Sequence, residues 1–518
     1  MTLFATLADT SQRVGATAAR SAKIRDLAAL LRQVQPEEIA IAVHYLSGEL
    51  PQGRIGVGPA AVSSAAATAA AQVPTLSILE VDSRLAALAA IGGAGSATRR
   101  AQRLRELFAL MTAAEQSLLL QLLIGELRQG ALQGVMLEAI AAAAQVSVPQ
   151  VRHAAMYARN LGAVAQAALY GGAAALGQFQ LELFTPVAPM LAQTAPDVAT
   201  ALRELGGEAA FEWKMDGARI QVHKRASEVR IYTRGLNDVT GALPEIVEFA
   251  RTLPAQALIL DGEAIAIDAA GRPHPFQITM RRVGRRLDVE ALRSGLPLKA
   301  FFFDCLRIEE QSVADRPTRE RIAALAGALP ADAQMPRLVT NSESAARQFY
   351  DAALAAGHEG VMAKSLEAPY EAGNRGAGWL KIKRAHTLDL VVLAAEWGHG
   401  RRSGKLSNLH LGARDPASGQ YVMLGKTFKG LTDAMLEWQT REFLARETHR
   451  DRWTVYLKPE LVVEVAFSDL QASNRYPGGL ALRLARVKRY RTDKGAAEAD
   501  TMDAVRRIYA AQGGTPSA

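Results

Sequence analysis

One lysine near the middle of the chain stands between two carboxylates, in Glu212-Trp213-Lys214-Met215-Asp216-Gly217-Ala218-Arg219. A lysine amine with its ordinary pKa of about 10.4 is protonated at neutral pH and is a poor nucleophile. Burial or nearby cations lower that pKa and free the lone pair. Such cations occur in Trp379–Lys383 and in a basic run that ends at Lys494. Lys214 is therefore a candidate nucleophile, although the short pattern alone better suits a strand that ends in a polar turn.

Five further segments with chemically useful side chains follow Lys214 along the chain. Each combines a charged or aromatic residue with a strand or a tight turn, and Lys381 and Lys383 would share one face of a strand because side chains alternate. The segments are Tyr232–Asp238 with Arg234, Leu260–Ala264 with Asp261 and Glu263, Phe301–Asp304 with Phe303, His358–Lys364 with Glu359, and Trp379–Lys383.

In this order the six segments resemble the motifs of the covalent nucleotidyltransferase superfamily, which contains ATP-dependent DNA ligases and mRNA-capping enzymes. The resemblance is closest to ATP-dependent DNA ligases of the bacterial and archaeal three-domain type, and it covers essentially the whole chain. It includes Tyr45–Gly56, which is similar to part of that family's DNA-binding domain.

The resemblance implies that Lys214 is the catalytic residue, which attacks the α-phosphorus of ATP and carries AMP as a phosphoramidate. The AMP would pass to the 5′-phosphate of a nick in double-stranded DNA, and the 3′-hydroxyl would then displace it. The implied pathways are DNA replication, repair or recombination. The implied cosubstrate and metal ion are ATP and Mg²⁺.

The resemblance also assigns roles to other residues. Adenine would be held by Glu212 and Phe303, the ribose or the nick phosphate by Arg219 and Arg234, and the α-phosphate by Lys381 and Lys383. The remaining implied contacts are Arg375 on the nucleotide, Glu263 and Glu359 on ribose or Mg²⁺, Asp216 on Lys214, and Arg486 on the departing pyrophosphate. Leu484 and Ala485, just before Arg486, stand where many family members have Phe and Pro.

Composition limits the class of protein. The 518 residues suit about three domains, and the net charge of +8 suits a polyanionic partner such as nucleic acid. The single cysteine, Cys305, excludes an intrachain disulfide and a cysteine-rich zinc site, and it suits a reducing cytoplasm. No apolar run is long enough to cross a bilayer, and the N-terminus does not resemble a signal peptide. We expect a monomer, since three domains can surround DNA.

Changes in sequence texture predict a multidomain fold. Residues 1–183 carry apolar side chains at helical spacing and predict an all-α domain, with a basic cluster at Arg99, Arg100, Arg103 and Arg105. The resemblance implies that this domain binds DNA. Pro186 and Pro189 mark a boundary. Residues 184–387 read as an α+β domain and 388–511 as a β-barrel of the OB type. The resemblance implies that the α+β domain is the nucleotidyltransferase domain, with a hinge between Lys383 and Asp389. Residues 512–518 read as a disordered tail.

Three other interpretations remain at this point. An RNA ligase or a capping guanylyltransferase would share the lysine core, but such enzymes usually lack a long helical N-terminal domain. A non-catalytic DNA-binding protein with a ligase fold would not need to keep Lys214, Glu263, Lys381 and Arg486. An NAD-dependent ligase is disfavoured because that family uses a cysteine-ligated zinc finger.

Overall fold

The chain forms two compact units, Met1–Ala188 and Pro189–Ala518. The computed structural model describes residues 1–127, 132–158, 160–268, 271–284, 289–384, 386–399 and 402–511. The tail predicted at 512–518 therefore lies outside the described residues. Within them, no helix combines the length and the apolar character that a membrane crossing requires. The predicted domain limits stay predictions, and the limit between 387 and 388 falls inside a strand.

The first unit is a helical region. Three of its described helices begin with a capping box, in which Ser77 pairs with Glu80, Thr112 with Glu115 and Ser147 with Gln150, so that two backbone N–H groups are satisfied at each start. The described helices are α1 (Phe4–Ala16), α2 (Arg20–Leu31), α3 (Ile39–Leu46), α4 (Pro59–Ala66), α5 (Ile78–Ala90), α6 (Ser96–Ala109), α7 (Ala113–Ile124), α8 (Leu132–Ala144), α9 (Val148–Tyr157) and α10 (Leu161–Leu176). The predicted basic cluster lies on α6.

The second unit begins with two five-stranded sheets that carry helices. Its first elements are β1 (Gln193–Thr194), α11 (Val198–Glu204), β2 (Ala209–Lys214), β3 (Ala218–Arg225), β4 (Glu228–Thr233), α12 (Pro244–Thr252), β5 (Ala257–Ala266), α13 (Phe276–Val283), α14 (Val289–Gly295), β6 (Leu298–Ile308), β7 (Gln311–Ser312), α15 (Thr318–Ala328), β8 (Arg337–Thr340), α16 (Glu343–Ala355), β9 (Gly360–Ser365) and β10 (Trp379–Lys383). The strand orders are β1-β10-β9-β2-β8 and β4-β3-β5-β6-β7, and separate apolar cores support the two sheets.

One strand differs from the sequence prediction. The apolar runs 257–260 and 264–267 read as two short strands, but the structure has one strand, β5, that passes through Asp261 and Glu263. A Cβ at Gly262 would lie 2.7 Å from the Phe302 ring and 2.8 Å from the Phe301 carbonyl oxygen, so the glycine allows β5 and β6 to approach. Because of this continuity, both carboxylates lie on one face of the sheet.

The last part of the second unit is an OB-fold-like barrel sheet. Its elements are β11 (His386–Trp397), β12 (Leu406–Arg414), β13 (Tyr421–Thr427), α17 (Asp433–Ala445), β14 (Glu447–Arg450), β15 (Thr454–Leu457), β16 (Val462–Phe467), β17 (Asp469–Ala472), β18 (Leu480–Arg483), β19 (Arg486–Tyr490) and α18 (Met502–Ala511). The long strand β11 pairs with β12, β15 and β16, and β16 pairs with β19. The predicted hinge, Lys383 to Asp389, thus spans the end of β10 and the start of β11, with Ala385 outside the described residues.

Candidate active site

Lys214 is the last residue of β2, and its ammonium group contacts the Glu359 carboxylate. The two strands β2 and β9 are antiparallel, with Lys214 opposite Gly360, and the Glu359 amide donates to the Lys214 carbonyl oxygen at 3.1 Å. A Cβ at Gly360 would overlap the Ile382 carbonyl oxygen, so glycine lets β9 run close to β10 here. This close pairing places Glu359 beside the lysine.

The charges around Lys214 act against the expected activation. Burial lowers the pKa of Lys214, but the contact with Glu359, together with the charges of Glu263 and Asp216, outweighs burial and raises that pKa. The expectation that nearby cations lower the Lys214 pKa is therefore wrong for this structure. Lys381 instead has a lowered pKa, because of burial and the positive charges around it. Lys214 is thus held as a charged, positioned amine.

Glu212 and Phe303 come from different sheets and are joined by two cations. The Glu212 side chain is only 2% exposed, and its oxygens accept from Arg337 at 2.6 Å and from Lys364 at 2.7 Å. The same two cations donate to the Phe303 carbonyl oxygen, Arg337 at 3.2 Å and Lys364 at 3.1 Å. Lys364 also lies 4.7 Å from the centre of the Phe303 ring. We call Glu212, Arg337, Lys364 and the Phe303 carbonyl the Glu212 clamp.

Arg219 is engaged inside the protein. Its Nε donates to Asp261 at 3.0 Å and one terminal nitrogen donates to the other Asp261 oxygen at 2.6 Å, while the second terminal nitrogen donates to the Met190 carbonyl at 2.6 Å. The Tyr370 hydroxyl donates to Asp261 at 2.7 Å. Because Asp261 is 2% exposed, this is a buried ion pair. The Arg219 guanidinium lies 5.3 Å from the centre of the Phe303 ring, so this buried network contacts the side chain that is predicted to stack on adenine.

Glu263, on β5, reaches back to the turn that follows Lys214. Its carboxylate accepts the Gly217 amide N–H at 3.1 Å. A Cβ at Gly217 would overlap the Ala264 carbonyl oxygen, so glycine is required for this approach. Burial raises the pKa of Glu263 to about 7, against the opposing charges of Lys214 and Arg219. Glu263 therefore gains a proton close to neutral pH.

The barrel part of the unit contributes Arg483 to this site. Arg483 pairs with Asp216 at 2.5 Å and with Asp469 at 3.1 Å. On β10, Lys383 donates to the Ser468 hydroxyl at 2.7 Å. Sequence reasoning missed Arg483, although it stands in the basic run that was singled out.

Three carboxylates converge beside Lys214. Each of Asp216, Glu359 and Asp469 offers one carboxylate oxygen, and these oxygens all lie within 4.8 Å of one another. Among the described residues, these three side chains are close enough together to bind one metal ion. It contains the predicted ligand Glu359 but not Glu263. Carboxylate oxygens are hard ligands, so the donor set fits Mg²⁺.

Lys381 is half-buried on β10, two residues from Lys383 and on the same face of the strand. The remaining predicted residues are more peripheral. Arg234 is exposed in the turn after β4, Arg375 is exposed in the loop before β10, and Arg486 is exposed at the start of β19. The structure thus brings together Lys214, Glu212, Glu263, Glu359, Phe303, Arg219, Lys381 and Lys383.

Comparison with known proteins agrees with this geometry. Three family models match the chain: "DNA ligase N terminus" at 61–141, "ATP dependent DNA ligase domain" at 189–383 and "ATP dependent DNA ligase C terminal region" at 402–494. A "Probable DNA ligase" of Anaeromyxobacter sp. (strain Fw109-5) is 59% identical over 510 residues, 98% of each chain. The chain belongs to the ATP-dependent DNA ligases. The ligase is also 56% identical to a "Probable DNA ligase" of Mycolicibacterium gilvum (strain PYR-GCK), over 98% of this chain and 99% of that protein.

A solved structure titled "Pmar-Lig_PreS3" matches the fold of the ligase with a TM-score of 0.60. The match covers 94% of this chain and 99% of that chain at 16% sequence identity, so it compares folds alone. Membership of the family makes the protein an enzyme that uses ATP to join DNA strands.

Proposed function

We propose that this ligase seals nicks in double-stranded DNA through a covalent AMP on Lys214, as a monomer, in replication, repair or recombination. The observation that carries the proposal is the position of Lys214. It ends β2 beside Glu359 and three residues from the turn that Glu263 holds, within a chain whose whole length matches ATP-dependent DNA ligases.

In the first step the Lys214 amine loses a proton and attacks the α-phosphorus of ATP. A P–N bond forms, the bond between the α-phosphorus and its bridging oxygen breaks, and pyrophosphate leaves. Glu359 is the carboxylate in contact with the amine, so we assign to it the positioning of the nucleophile and the acceptance of its proton. In-line phosphoryl transfer requires alignment and charge neutralisation above all.

In the second step a 5′-phosphate oxygen of the nick attacks the lysyl-AMP phosphorus and releases the lysine. In the third step the 3′-hydroxyl attacks the activated 5′-phosphate, the phosphodiester forms and AMP leaves. Lys381 and Lys383 lie on the strand next to β9, where they would neutralise the α-phosphate in each step. Arg219, which Asp261 and the Met190 carbonyl hold, supports the Phe303 ring rather than contacting the ribose or the nick phosphate directly. Arg234 contacts the ribose or the nick phosphate, and Arg375 contacts the nucleotide, each from an exposed loop.

We propose that the carboxylates of Asp216, Glu359 and Asp469 hold Mg²⁺, with Glu263 as a ribose contact or a further ligand. When bound, the ion would neutralise negative charge on the phosphates. Arg483, rather than Arg486, is then the arginine of the C-terminal run that lies beside these groups. The helical unit, with the cluster on α6, would bind the DNA backbone.

Self-adenylation tests the proposal. The protein is incubated with α-labelled ATP and Mg²⁺ and denatured, and the label that stays on the chain is measured for the wild type, Lys214→Ala and the control Lys299→Ala, a half-buried lysine of the same unit. We expect label on the wild type and on Lys299→Ala only, and release of that label on nicked DNA. No label, label from GTP alone, or transfer to nicked RNA rather than DNA would contradict the proposal.

A further inference from the structure

Arg337 lies outside every segment that the sequence motifs cover, yet it touches both residues that would hold the base. It begins β8, the edge strand of its sheet, and stands directly opposite Glu212 on β2. Its Nε donates to Glu212 at 2.7 Å, and its terminal nitrogen donates to the Phe303 carbonyl at 3.2 Å. One planar guanidinium therefore links the carboxylate of one sheet to the aromatic strand of the other.

The burial of the Glu212 clamp makes this link specific. The side chains of Arg337, Glu212 and Lys364 are 10%, 2% and 1% exposed. A buried carboxylate keeps a fixed direction only when its lone pairs are satisfied by well-placed donors. Here Arg337 and Lys364 bond different oxygens of Glu212, so the carboxylate cannot rotate without breaking one of the two contacts.

We propose that Arg337 is a positioning residue for base recognition, which sets the direction of the Glu212 carboxylate relative to the Phe303 ring and so determines the preference for a 6-amino purine. This rests on the proposed function, in which Glu212 and Phe303 hold adenine. A carboxylate only accepts hydrogen bonds, so it pairs with the amino group of adenine and repels the 6-carbonyl oxygen of guanine. The selectivity depends on the direction of the lone pairs, which Arg337 fixes.

The test compares ATP with purine riboside triphosphate, which lacks only the 6-amino group. Values of kcat/KM for self-adenylation are measured with both nucleotides in the wild type, Arg337→Met, Arg337→Lys and the control Arg230→Met, an exposed arginine of strand β4. We expect the wild type and the control to prefer ATP by about tenfold or more, as for one charge-assisted hydrogen bond. In Arg337→Met the preference falls about fivefold or more, through KM rather than kcat.

A merely structural role would lower activity with both nucleotides equally and leave the ratio unchanged. That outcome refutes the inference, as does a wild-type ratio near one. If Arg337→Met shows no cooperative melting, the test rests on Arg337→Lys, which keeps the charge but not the two-pronged geometry. A preference for ATP between those of the wild type and of an unselective enzyme supports the inference, and a preference equal to that of the wild type refutes it. Absence of label on the wild type with ATP would instead refute the proposed function, so the two failures are distinguishable.

Discussion

The buried Arg219–Asp261 pair allows a quantitative prediction about stability. Replacing Asp261 with Asn keeps the shape of the side chain but leaves the Arg219 guanidinium without its charge partner. The Asp261 carboxylate is 2% exposed and accepts three hydrogen bonds, two from Arg219 and one from Tyr370. Breaking a buried pair costs about 3–5 kcal/mol, and Arg219 is 15% exposed. We therefore expect a loss of about 3 kcal/mol.

Scanning calorimetry of the full chain measures this loss. For a unit of this size, 1 kcal/mol corresponds to about 2 °C in Tm, so the transition of the second unit should fall by about 6 °C in Asp261→Asn. The matched control is Asp332→Asn, in which the exposed pair with Lys299 is lost. Exposed pairs contribute about 0–1 kcal/mol, so the control should shift by at most about 2 °C.

A double-mutant cycle separates the pair from its surroundings. If the cost arises from an uncompensated charge, Arg219→Met combined with Asp261→Asn should be less destabilising than the sum of the single changes, by about 1.5 kcal/mol or more. A shift below 2 °C in Asp261→Asn, or simple additivity of the two changes, would refute the view that Arg219 is committed to a buried structural network.

Three further predictions concern other parts of the chain. Arg483→Met should slow nick sealing about tenfold or more, and Arg486→Met should slow it less, because Arg483 pairs with Asp216 whereas Arg486 is exposed. Single-turnover rates of nick sealing measure the difference. Glu396→Gln should lose stability at pH 5 relative to the wild type, and the difference should shrink at pH 3, in urea titrations. Deletion of 1–183 should preserve self-adenylation and weaken binding to nicked DNA, as measured by salt-dependent affinity.

The sign of the pH effect follows from Glu396 itself. Burial raises the pKa of Glu396, but side-chain hydrogen bonds, with that of Lys426 the largest, outweigh burial and hold this pKa at about 2. Its stabilisation is complete above the unfolded pKa of about 4.5 and is lost as the pH falls towards 2. A constant difference between wild type and variant at both pH values would contradict this. Equal sealing by both arginine variants, or unchanged DNA affinity after the deletion, would contradict the other two predictions.

The sequence was sufficient for features that depend on local spacing, for a physical reason. Side-chain alternation and motif order depend on local spacing, and local spacing placed Lys214 at the end of β2 and Lys381 with Lys383 on one face of β10. Contacts between distant segments have no such local signal. Arg337 meets Glu212 only because β8 pairs with β2, and no spacing rule relates positions so far apart in the chain.

The lysine pKa shows the same limit. A sequence shows which cations and carboxylates exist, but the sign of a shift depends on which of them is in contact, since interaction energy falls with distance and with solvent screening. The sequence shows that β10 carries lysines, but it does not show that Glu359 is the charged group in contact with Lys214. That contact arises because β9 pairs with β2. The nearest charge therefore determines the protonation of Lys214.

The arginine of the C-terminal run illustrates how backbone shape decides between equivalent residues. Arg483 ends β18 and Arg486 begins β19, with Leu484 between them at a φ of +57°, a left-handed conformation that is rare outside glycine. This turn separates the two arginines, so that Arg483 pairs with Asp216 and Asp469 while Arg486 faces solvent. The Leu484-Ala485 pair, where many family members have Phe and Pro, thus lies at the bend that determines which arginine reaches the site.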